Sequence, residues 1–259
     1  MNTITTEIDE HIGTITMCYT KKRNALSKEL IEDIIGALRD FEEKKLRVAI
    51  LRAEKGAKVW SAGHDISELA KPGRDPLAYG DPMESVLREI ERFPAPVIAM
   101  IEGGVWGGAC EMAFTCDILV GTNTATFAIT PAKLGVPYNL NGILHFMNIV
   151  DISTVKEMFF TAQPISAERA EKLGILNHIV APEELESFTY GFARTIAKNS
   201  PLTIQVVKEQ LRILSKAHAM SPETFERIQG LRRKVYDSAD YKEGLQAFLE
   251  KRPPMFKGE

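Results

Sequence analysis

Apolar residues recur along the first half of the chain with two different periods, and together these periods predict alternating strands and helices. Between residues 27 and 41 they are spaced three or four apart, as in an amphipathic helix, and Ser27 stands where an N-cap is expected. Shorter β-rich apolar runs occupy residues 12–19, 46–52, 96–101 and 117–121. Strands that alternate with helices through short connections predict parallel pairing and crossover units, and therefore an α/β fold.

The second half of the chain changes to helical patterning. Helix-like spacing extends over residues 153–160, 166–173, 183–198, 201–218, 222–236 and 240–250, before an extended tail. The change is complete near residue 200, so we expect an α/β region over 1–200 and a helical region over 201–259. Residues 71–82 (KPGRDPLAYGDP) are rich in Gly, Pro and Asp and predict a loop, a candidate cover for a site.

Two turns that contain glycine carry the strongest chemical signal. One reads Ser61-Ala62-Gly63-His64-Asp65, and the other is GGVWGGACE, which ends at Glu111. Small residues let the backbone approach a ligand closely, and Gly108 stands at a predicted helix start, where free N–H groups favour negative charge. One N–H from each turn would form an oxyanion hole. The alternative is that these glycines only allow helix–strand packing. For His64 we favour a role of the backbone N–H over one of the ring.

Side chains near these turns are further candidates. Glu111 lies three residues after Gly108 on the same predicted helix face, and its apolar neighbours indicate burial. Asp65 is a candidate N-cap of the segment that follows it. Thr130 and Tyr138 flank a rigid turn with two prolines and a glycine, and their hydroxyls are candidates to face a ligand. An ordinary connecting loop with a half-buried Tyr138 is the alternative.

Composition narrows the class of protein. The chain has 259 residues, of which 44% are hydrophobic, enough for a well-buried core, and a net charge of −3, which disfavours nucleic acid and anionic lipid as partners. Three cysteines in or beside apolar segments favour buried thiols over disulfides, and five scattered histidines argue against a metal site. We find no secretory signal and no apolar run long enough to span a membrane, so we expect a cytoplasmic protein without membrane or nucleic-acid partners.

Several motifs in this order resemble the crotonase (enoyl-CoA hydratase/isomerase) superfamily over nearly the whole chain. The matching segments are Asn24-Ala25-Leu26, SAGHD, Pro96-Val97-Ile98-Ala99 with EGGVWGGACE, Cys116-Asp117, and the run from Glu243 to Arg252. Within the superfamily, the segments WSAGHDI, GGVWGGA, TPAKLGVPYNLNGI and FERIQGLRRKVYDSADYKEG are similar to those of decarboxylases that act on methylmalonyl-CoA.

The resemblance implies a fold and a set of binding residues. It implies a spiral of ββα units that carries the coenzyme A (CoA) site and active site in residues 1–200. Residues 201–259 would be a helical region that assembles trimers or dimers of trimers. By position, the N–H groups of His64 and Gly108 match the oxyanion hole. Ala62, Gly63, His64, Asp65 and Ile66 match the loop along CoA, and Phe248 and Lys251 match C-terminal residues that reach its adenine end.

One departure from the family pattern favours a particular reaction. Hydratases of this family use two glutamates, and Glu111 matches the first, but Thr130-Pro131-Ala132 stands where the second is expected. A hydratase must activate water, whereas loss of carbon dioxide itself generates an enolate. The resemblance therefore implies biotin-independent decarboxylation of methylmalonyl-CoA to propionyl-CoA, with CoA as part of the substrate and no separate cofactor or metal. The candidate catalytic residues are His64, Gly108, Glu111, Thr130 and Tyr138, and Thr130 is also a candidate for substrate binding. Another acyl-CoA reaction on the same fold, or a non-catalytic CoA-binding scaffold, is the alternative.

Overall fold

Two sheets build the α/β half of the computed structural model, which describes residues 2–69, 80–217 and 220–259. In chain order the strands are β1 (Ile4–Asp9), β2 (Ile12–Met17), β3 (Val48–Ala53), β4 (Val59–Ser61), β5 (Val97–Ile101), β6 (Gly104–Trp106), β7 (Ile118–Thr122), β8 (Thr126–Ala128), β9 (Ile165–Ser166) and β10 (His178–Val180). One sheet has the order β1-β2-β3-β5-β7-β10 and the other β4-β6-β8-β9. The predicted α/β class with parallel strands is confirmed.

The smaller sheet positions the two glycine turns. Strand β4 pairs in parallel with β6, with Val59 opposite Gly104 and Ser61 opposite Val105, and β6 pairs in parallel with β8. Parallel neighbours end at the same edge of a sheet. The turns that follow Ser61 and Trp106 therefore leave the sheet side by side.

Ten helices are present among the described residues. They are α1 (Lys28–Glu43), α2 (Pro82–Arg92), α3 (Gly108–Thr115), α4 (Leu140–Met147), α5 (Ile152–Thr161), α6 (Ala167–Lys172), α7 (Leu185–Ala197), α8 (Pro201–Ser215), α9 (Pro222–Tyr236) and α10 (Ala239–Leu249). Every helix predicted from the sequence is confirmed to within a few residues. The predicted loop 71–82 lies outside the described residues up to residue 79. Its last residue, Pro82, instead begins α2, whose N-cap Asp81 accepts a hydrogen bond from the Met83 N–H at 2.9 Å.

The larger sheet is covered on both faces, which explains its continuous apolar strands. Helix α1 packs on one face through the stripe Leu30, Ile31, Ile34, Leu38 and Phe41, and the Ser27 hydroxyl accepts from the Leu30 N–H at 3.3 Å. Helix α7 covers the other face, against the side chains of Ile12, Val48, Ile50, Ile98 and Val120. Parallel strands that are buried on both faces read as apolar runs without alternation.

The C-terminal helices are held to the core by polar contacts as well as by packing. Helix α8 has no buried residue. The Lys208 ammonium donates to the carbonyls of Ile90 at 3.1 Å and Ala95 at 2.9 Å, and it pairs with Asp117 at 2.7 Å. Helix α10 packs tightly on the turn Pro131–Leu134, since a Cβ on Gly244 would collide with the Leu134 carbonyl. The division at residue 200 stays a prediction.

The structure tests the prediction of buried free thiols and the search for a helix that could span a membrane. Cys110 and Cys116 are buried free thiols, as predicted, and burial raises the pKa of Cys110 to about 12. Cys18 is also free but only half-buried, because it follows β2 near the chain start. Of the helices in the described ranges, none combines the length and the apolar character needed to cross a bilayer.

Candidate active site

The two glycine turns meet, and Leu26 holds one of them in place. The Leu26 N–H donates to the Gly63 carbonyl at 2.8 Å, and the Asp65 N–H donates to the Leu26 carbonyl at 3.2 Å. Gly63 has φ of +84°, and a Cβ there would collide with the Trp106 carbonyl and lie 3.1 Å from the Gly108 nitrogen. Only glycine accommodates both the conformation and this approach.

Two backbone donors at this contact are free. The N–H groups of His64 and Gly108 donate to no acceptor among the described residues, whereas the Gly107 N–H donates to the Ala128 carbonyl at 2.8 Å. Gly107, with φ of +55°, precedes the first residue of α3. A Cβ on Gly108 would lie 3.5 Å from the His64 nitrogen, so the two donors are neighbours. A free N–H at a helix start beside a second free N–H is suited to bind an anionic oxygen.

The side chains of this turn have structural partners. Asp65 pairs with Lys22 at 2.8 Å and accepts from the Ser67 N–H at 3.0 Å, which confirms the predicted N-cap. Burial lowers the pKa of His64 although Asp81 and other acids oppose this, so its ring is neutral at pH 7. A neutral ring with a free backbone donor agrees with the interpretation that favours the N–H.

A cavity opens beside the turn. Its volume is about 270 Å³, and it is lined by Leu26, Lys28, Ile31, His64, Glu68, Asp81 and Pro82. A larger open groove of about 580 Å³ runs between β1 and α1 and shares no residue with the turns. Of the two, the smaller cavity borders His64, but Gly108, Glu111, Thr130 and Tyr138 are not among its lining residues.

Thr130 and Tyr138 both lie at the site. A Cβ on Gly107 would be 3.2 Å from the Thr130 hydroxyl, which places that hydroxyl beside the start of α3. The Tyr138 ring packs edge-on against Phe159 at 5.0 Å and is partly buried, but its hydroxyl is fully buried without a hydrogen-bond partner among the described residues. Burial and then the charge of Glu111 raise the pKa of Tyr138 well above its usual value.

Glu111 is buried as predicted, with 2% of its surface exposed. Its Oε1 atom lies 3.6 Å from His145 Nδ1 and makes no hydrogen bond within the described chain. Helix α4 comes this close because Gly142 has no side chain: a Cβ there would collide with the Tyr138 ring and lie 2.8 Å from Glu111 Oε1. An unpaired buried carboxylate oxygen is costly unless a ligand or a proton meets it.

A buried charge cluster behind Glu111 was missed by the sequence analysis. His145 Nε2 contacts Glu91 Oε1 at 3.1 Å, and Glu91 Oε2 pairs with Lys216 at 2.6 Å. Burial would lower the pKa of His145, but its contacts with Glu111 and Glu91 outweigh this and raise it to about 9. Burial would raise the pKa of Glu91, but His145 and Lys216 lower it to about 2. Glu84 is a further buried acid, whose pKa is raised by burial and by the charge of Glu111.

The predicted adenine-end residues are not brought to the turns within one chain. Phe248 is 53% exposed near the end of α10, and Lys251 is exposed just beyond it with φ of +55°. Ala62 and Ile66 are half-buried on either side of His64, and their position along CoA stays a prediction. Over the described ranges, no cluster of three or more His, Cys, Asp or Glu residues is arranged to hold a metal ion.

Comparisons with known proteins show which family the chain is similar to. The family model described as enoyl-CoA hydratase/isomerase matches residues 7–259. The chain is 53% identical over 247 residues to methylmalonyl-CoA decarboxylase of Escherichia coli (strain K12), a match that covers 95% of each chain.

Two solved structures of methylmalonyl-CoA decarboxylase are similar to this chain along nearly its whole length. A methylmalonyl-CoA decarboxylase in complex with 2-nitronate-propionyl-CoA superposes with a TM-score of 0.97 at 51% identity, over 99% of this chain and 98% of that one. A methylmalonyl-CoA decarboxylase complexed with 2S-carboxypropyl-CoA gives a TM-score of 0.98 at 50% identity, over 100% and 99%. The predicted resemblance and its fold are confirmed.

Proposed function

Because the chain belongs to the enoyl-CoA hydratase/isomerase family, we propose that it decarboxylates methylmalonyl-CoA to propionyl-CoA without biotin. It is a carboxy-lyase, as is indicated by its 53% identity to a decarboxylase of that substrate. The observation that carries the choice of reaction is the segment Thr130-Pro131-Ala132, which places a hydroxyl and no acid beside the free N–H pair.

The free N–H pair stabilises the charge that the reaction creates. The thioester oxygen accepts hydrogen bonds from the N–H groups of His64 and Gly108. When the bond between C2 and the carboxylate breaks, its electron pair enters the thioester enolate and carbon dioxide leaves. The charge collects on the oxygen that the two donors already face, and each preorganised donor contributes roughly a hundredfold or more in rate.

The two hydroxyls of the site orient the departing carboxylate. Decarboxylation requires the breaking bond to stand out of the thioester plane, in line with the carbonyl π system. Tyr138 has a buried hydroxyl with an unused donor, and the Thr130 hydroxyl lies beside the start of α3. Hydrogen bonds from both to the substrate carboxylate fix that orientation. The high pKa of Tyr138 keeps its hydroxyl protonated for this purpose.

Residues of the α/β region and of the C-terminal end of the chain are proposed to bind CoA, and an apolar stripe on α8 is proposed to form subunit contacts. Ala62 to Ile66 lie along the thioester arm of CoA, and Phe248 and Lys251 receive its adenine and phosphate end. Helix α8 exposes the apolar side chains of Leu202, Val206, Val207, Leu211 and Leu214. An apolar stripe of this length supports a homo-oligomer, a trimer or a dimer of trimers, as the partner that covers it. CoA enters as part of the substrate, and a cytoplasmic location stays a prediction.

Hydration of an enoyl-CoA is the second candidate, and one observation favours it. Glu84 is a second buried acid whose pKa responds to the charge of Glu111, and hydratases of this family use two glutamates. The Glu84 side chain is hydrogen-bonded to Asn141, and this bond competes with the activation of a water molecule by Glu84.

One experiment separates these reactions. The pure protein is incubated with malonyl-, methylmalonyl- and crotonyl-CoA, and the products are identified by mass spectrometry. We expect propionyl-CoA from methylmalonyl-CoA and very little 3-hydroxybutyryl-CoA from crotonyl-CoA. Fast hydration of crotonyl-CoA with no release of carbon dioxide would replace decarboxylation by the second candidate.

A further inference from the structure

The reaction consumes one proton for each carbon dioxide released, and the residues proposed above do not supply it. The enolate carbon must gain a proton to become propionyl-CoA. Neither backbone N–H can give its proton away, and Tyr138 holds its proton tightly because of its high pKa. The source must be another group that reaches the site and is itself reloaded from water.

Four helices bring such a group to the back of the site. His145 on α4 stands between Glu111 on α3, at 3.6 Å, and Glu91 on α2, at 3.1 Å. Lys216, which directly follows α8, pairs with the other oxygen of Glu91 at 2.6 Å. The side chains of His145, Glu91 and Glu111 are 10%, 11% and 3% exposed, while that of Lys216 is 37% exposed. Ion-pair contacts thus connect Lys216 at the protein surface to Glu111, and the longest of them is the 3.6 Å step between His145 and Glu111.

Both atoms at the inner end of this cluster are unused. Glu111 Oε1 and His145 Nδ1 are buried and make no hydrogen bond among the described residues. Their separation exceeds hydrogen-bond length, as is common for catalytic groups before the substrate binds. The Tyr138 hydroxyl also lies against Glu111, which helps to raise the pKa of Tyr138.

We propose that His145 is a positioning residue that stores a proton and passes it through Glu111 to the enolate carbon of the product. The proposal rests on the proposed function, because it concerns the second half of the same reaction. First, the Nδ1 proton moves to Glu111 Oε1. The resulting carboxylic acid then gives its proton to C2, which forms the new C–H bond with the enolate electron pair. Glu111 is again a carboxylate, and His145 is neutral with its Nε2–H donated to Glu91. After the product leaves, water that enters the emptied site gives a proton to Glu111 Oε1, which passes it back to His145 Nδ1.

The charges around His145 favour its loaded state. The titratable and charged groups that face the cluster from its neighbouring elements are Glu84, Arg88, Glu91, Glu111, Tyr138, Arg212 and Lys216. Carboxylates contact His145 on both sides and raise its pKa to about 9, so it carries the proton at pH 7. Lys216 lowers the pKa of Glu91 and so keeps the outer carboxylate charged.

The test measures the proton step separately from carbon dioxide release. Propionyl-CoA is incubated with the enzyme in D₂O, and deuterium uptake at C2 is followed by mass spectrometry. This exchange is the reverse of enolate protonation, so it needs the neutral form of His145. We expect the wild-type rate to rise with pH through a midpoint near pH 9, where His145 loses its proton, and to level off above that pH. The same midpoint should appear in the NMR titration of the His145 ring.

Variants make the assignment specific. His145→Gln should slow exchange by roughly 100-fold or more and remove its pH dependence, while carbon dioxide release falls by less than about tenfold. Glu91→Gln removes one negative charge and should move the exchange midpoint to lower pH. His11→Gln, an exposed histidine in the β1–β2 turn, is the matched control and should leave both rates unchanged.

The failures of the two proposals are distinguishable. Absence of carbon dioxide release by the wild type would overturn the proposed function. Release by the wild type, together with wild-type exchange in His145→Gln, would overturn the role of His145 alone. If His145→Gln does not fold, two other results overturn the role of His145. One is a wild-type exchange midpoint that differs from the midpoint of the NMR titration. The other is an exchange midpoint that Glu91→Gln does not shift.

Discussion

Replacement of Tyr138 by phenylalanine should separate catalysis from stability. In the proposed reaction the Tyr138 hydroxyl donates to the substrate carboxylate, and such a bond to a charged group contributes about 1.5–3 kcal/mol. Tyr138→Phe should therefore lower kcat by roughly 10- to 150-fold while KM changes little, because the hydroxyl orients the carboxylate and does not bind CoA.

The same substitution should not destabilise the fold. The hydroxyl is buried without a partner, and an unsatisfied buried group costs the folded state about 1–3 kcal/mol. The free energy of unfolding in urea should thus stay constant or increase. Tyr190→Phe is the matched control, because the Tyr190 hydroxyl bonds Thr14 at 2.8 Å on the far side of the larger sheet. It should lose about 1 kcal/mol of stability and keep its kcat.

Initial rates of propionyl-CoA formation and urea unfolding curves for the three proteins complete the experiment. A wild-type kcat in Tyr138→Phe would show that the hydroxyl belongs to the packing of its turn. A clear loss of stability in Tyr138→Phe would show that the hydroxyl has a partner in the free protein. Either result refutes the reasoning.

Three further predictions concern other parts of the site. His64→Ala should keep substantial decarboxylase activity, since the backbone N–H remains, whereas His64→Pro removes the donor and should abolish turnover with the circular dichroism spectrum intact. Lys251→Ala should weaken CoA binding in calorimetry by roughly 1–3 kcal/mol with kcat unchanged, and tight binding by the variant would make this lysine an ordinary surface residue. The pKa of His145 is raised from 6.5 to about 9 on folding, so its contribution to stability is complete below pH 6.5 and is lost as the pH rises to 9. Urea unfolding should record a loss of roughly 3 kcal/mol over that interval, and His145→Gln should not show it.

The sequence predicted many of the elements whose signal is local, but it missed α2 (Pro82–Arg92), whose N-cap and apolar stripe are also local. Helix α1 has an N-cap at Ser27 and a full apolar stripe, and both are visible within its own residues. The turns at Gly63 and Gly108 could be predicted as partners because each glycine follows an apolar strand. Helix α4 (Leu140–Met147) was missed because it is short and apolar on most sides, so its spacing differs little from that of a buried strand.

The charge cluster could not be predicted because it is assembled by the fold. Glu91, Glu111, His145 and Lys216 are far apart in sequence and come from or directly follow four helices. A single histidine in an apolar helix gives no signal of its partners. The approach of His145 to Glu111 depends on the missing side chain of Gly142, and this is a property of packing that no local pattern contains.

In the proposed oligomer, helix α8 would make the activity of this protein depend on its own concentration. None of its residues is buried within one chain, and the contacts that hold it include the ammonium groups of Lys208 on the helix and Lys216 just beyond it. In the proposed oligomer, a neighbouring subunit would cover its apolar stripe. On dilution below the dissociation constant of the assembly, α8 would loosen and Lys216 would leave Glu91. Specific activity would then fall while the sheets stay folded, so the enzyme would lose turnover by disassembly well before it denatures.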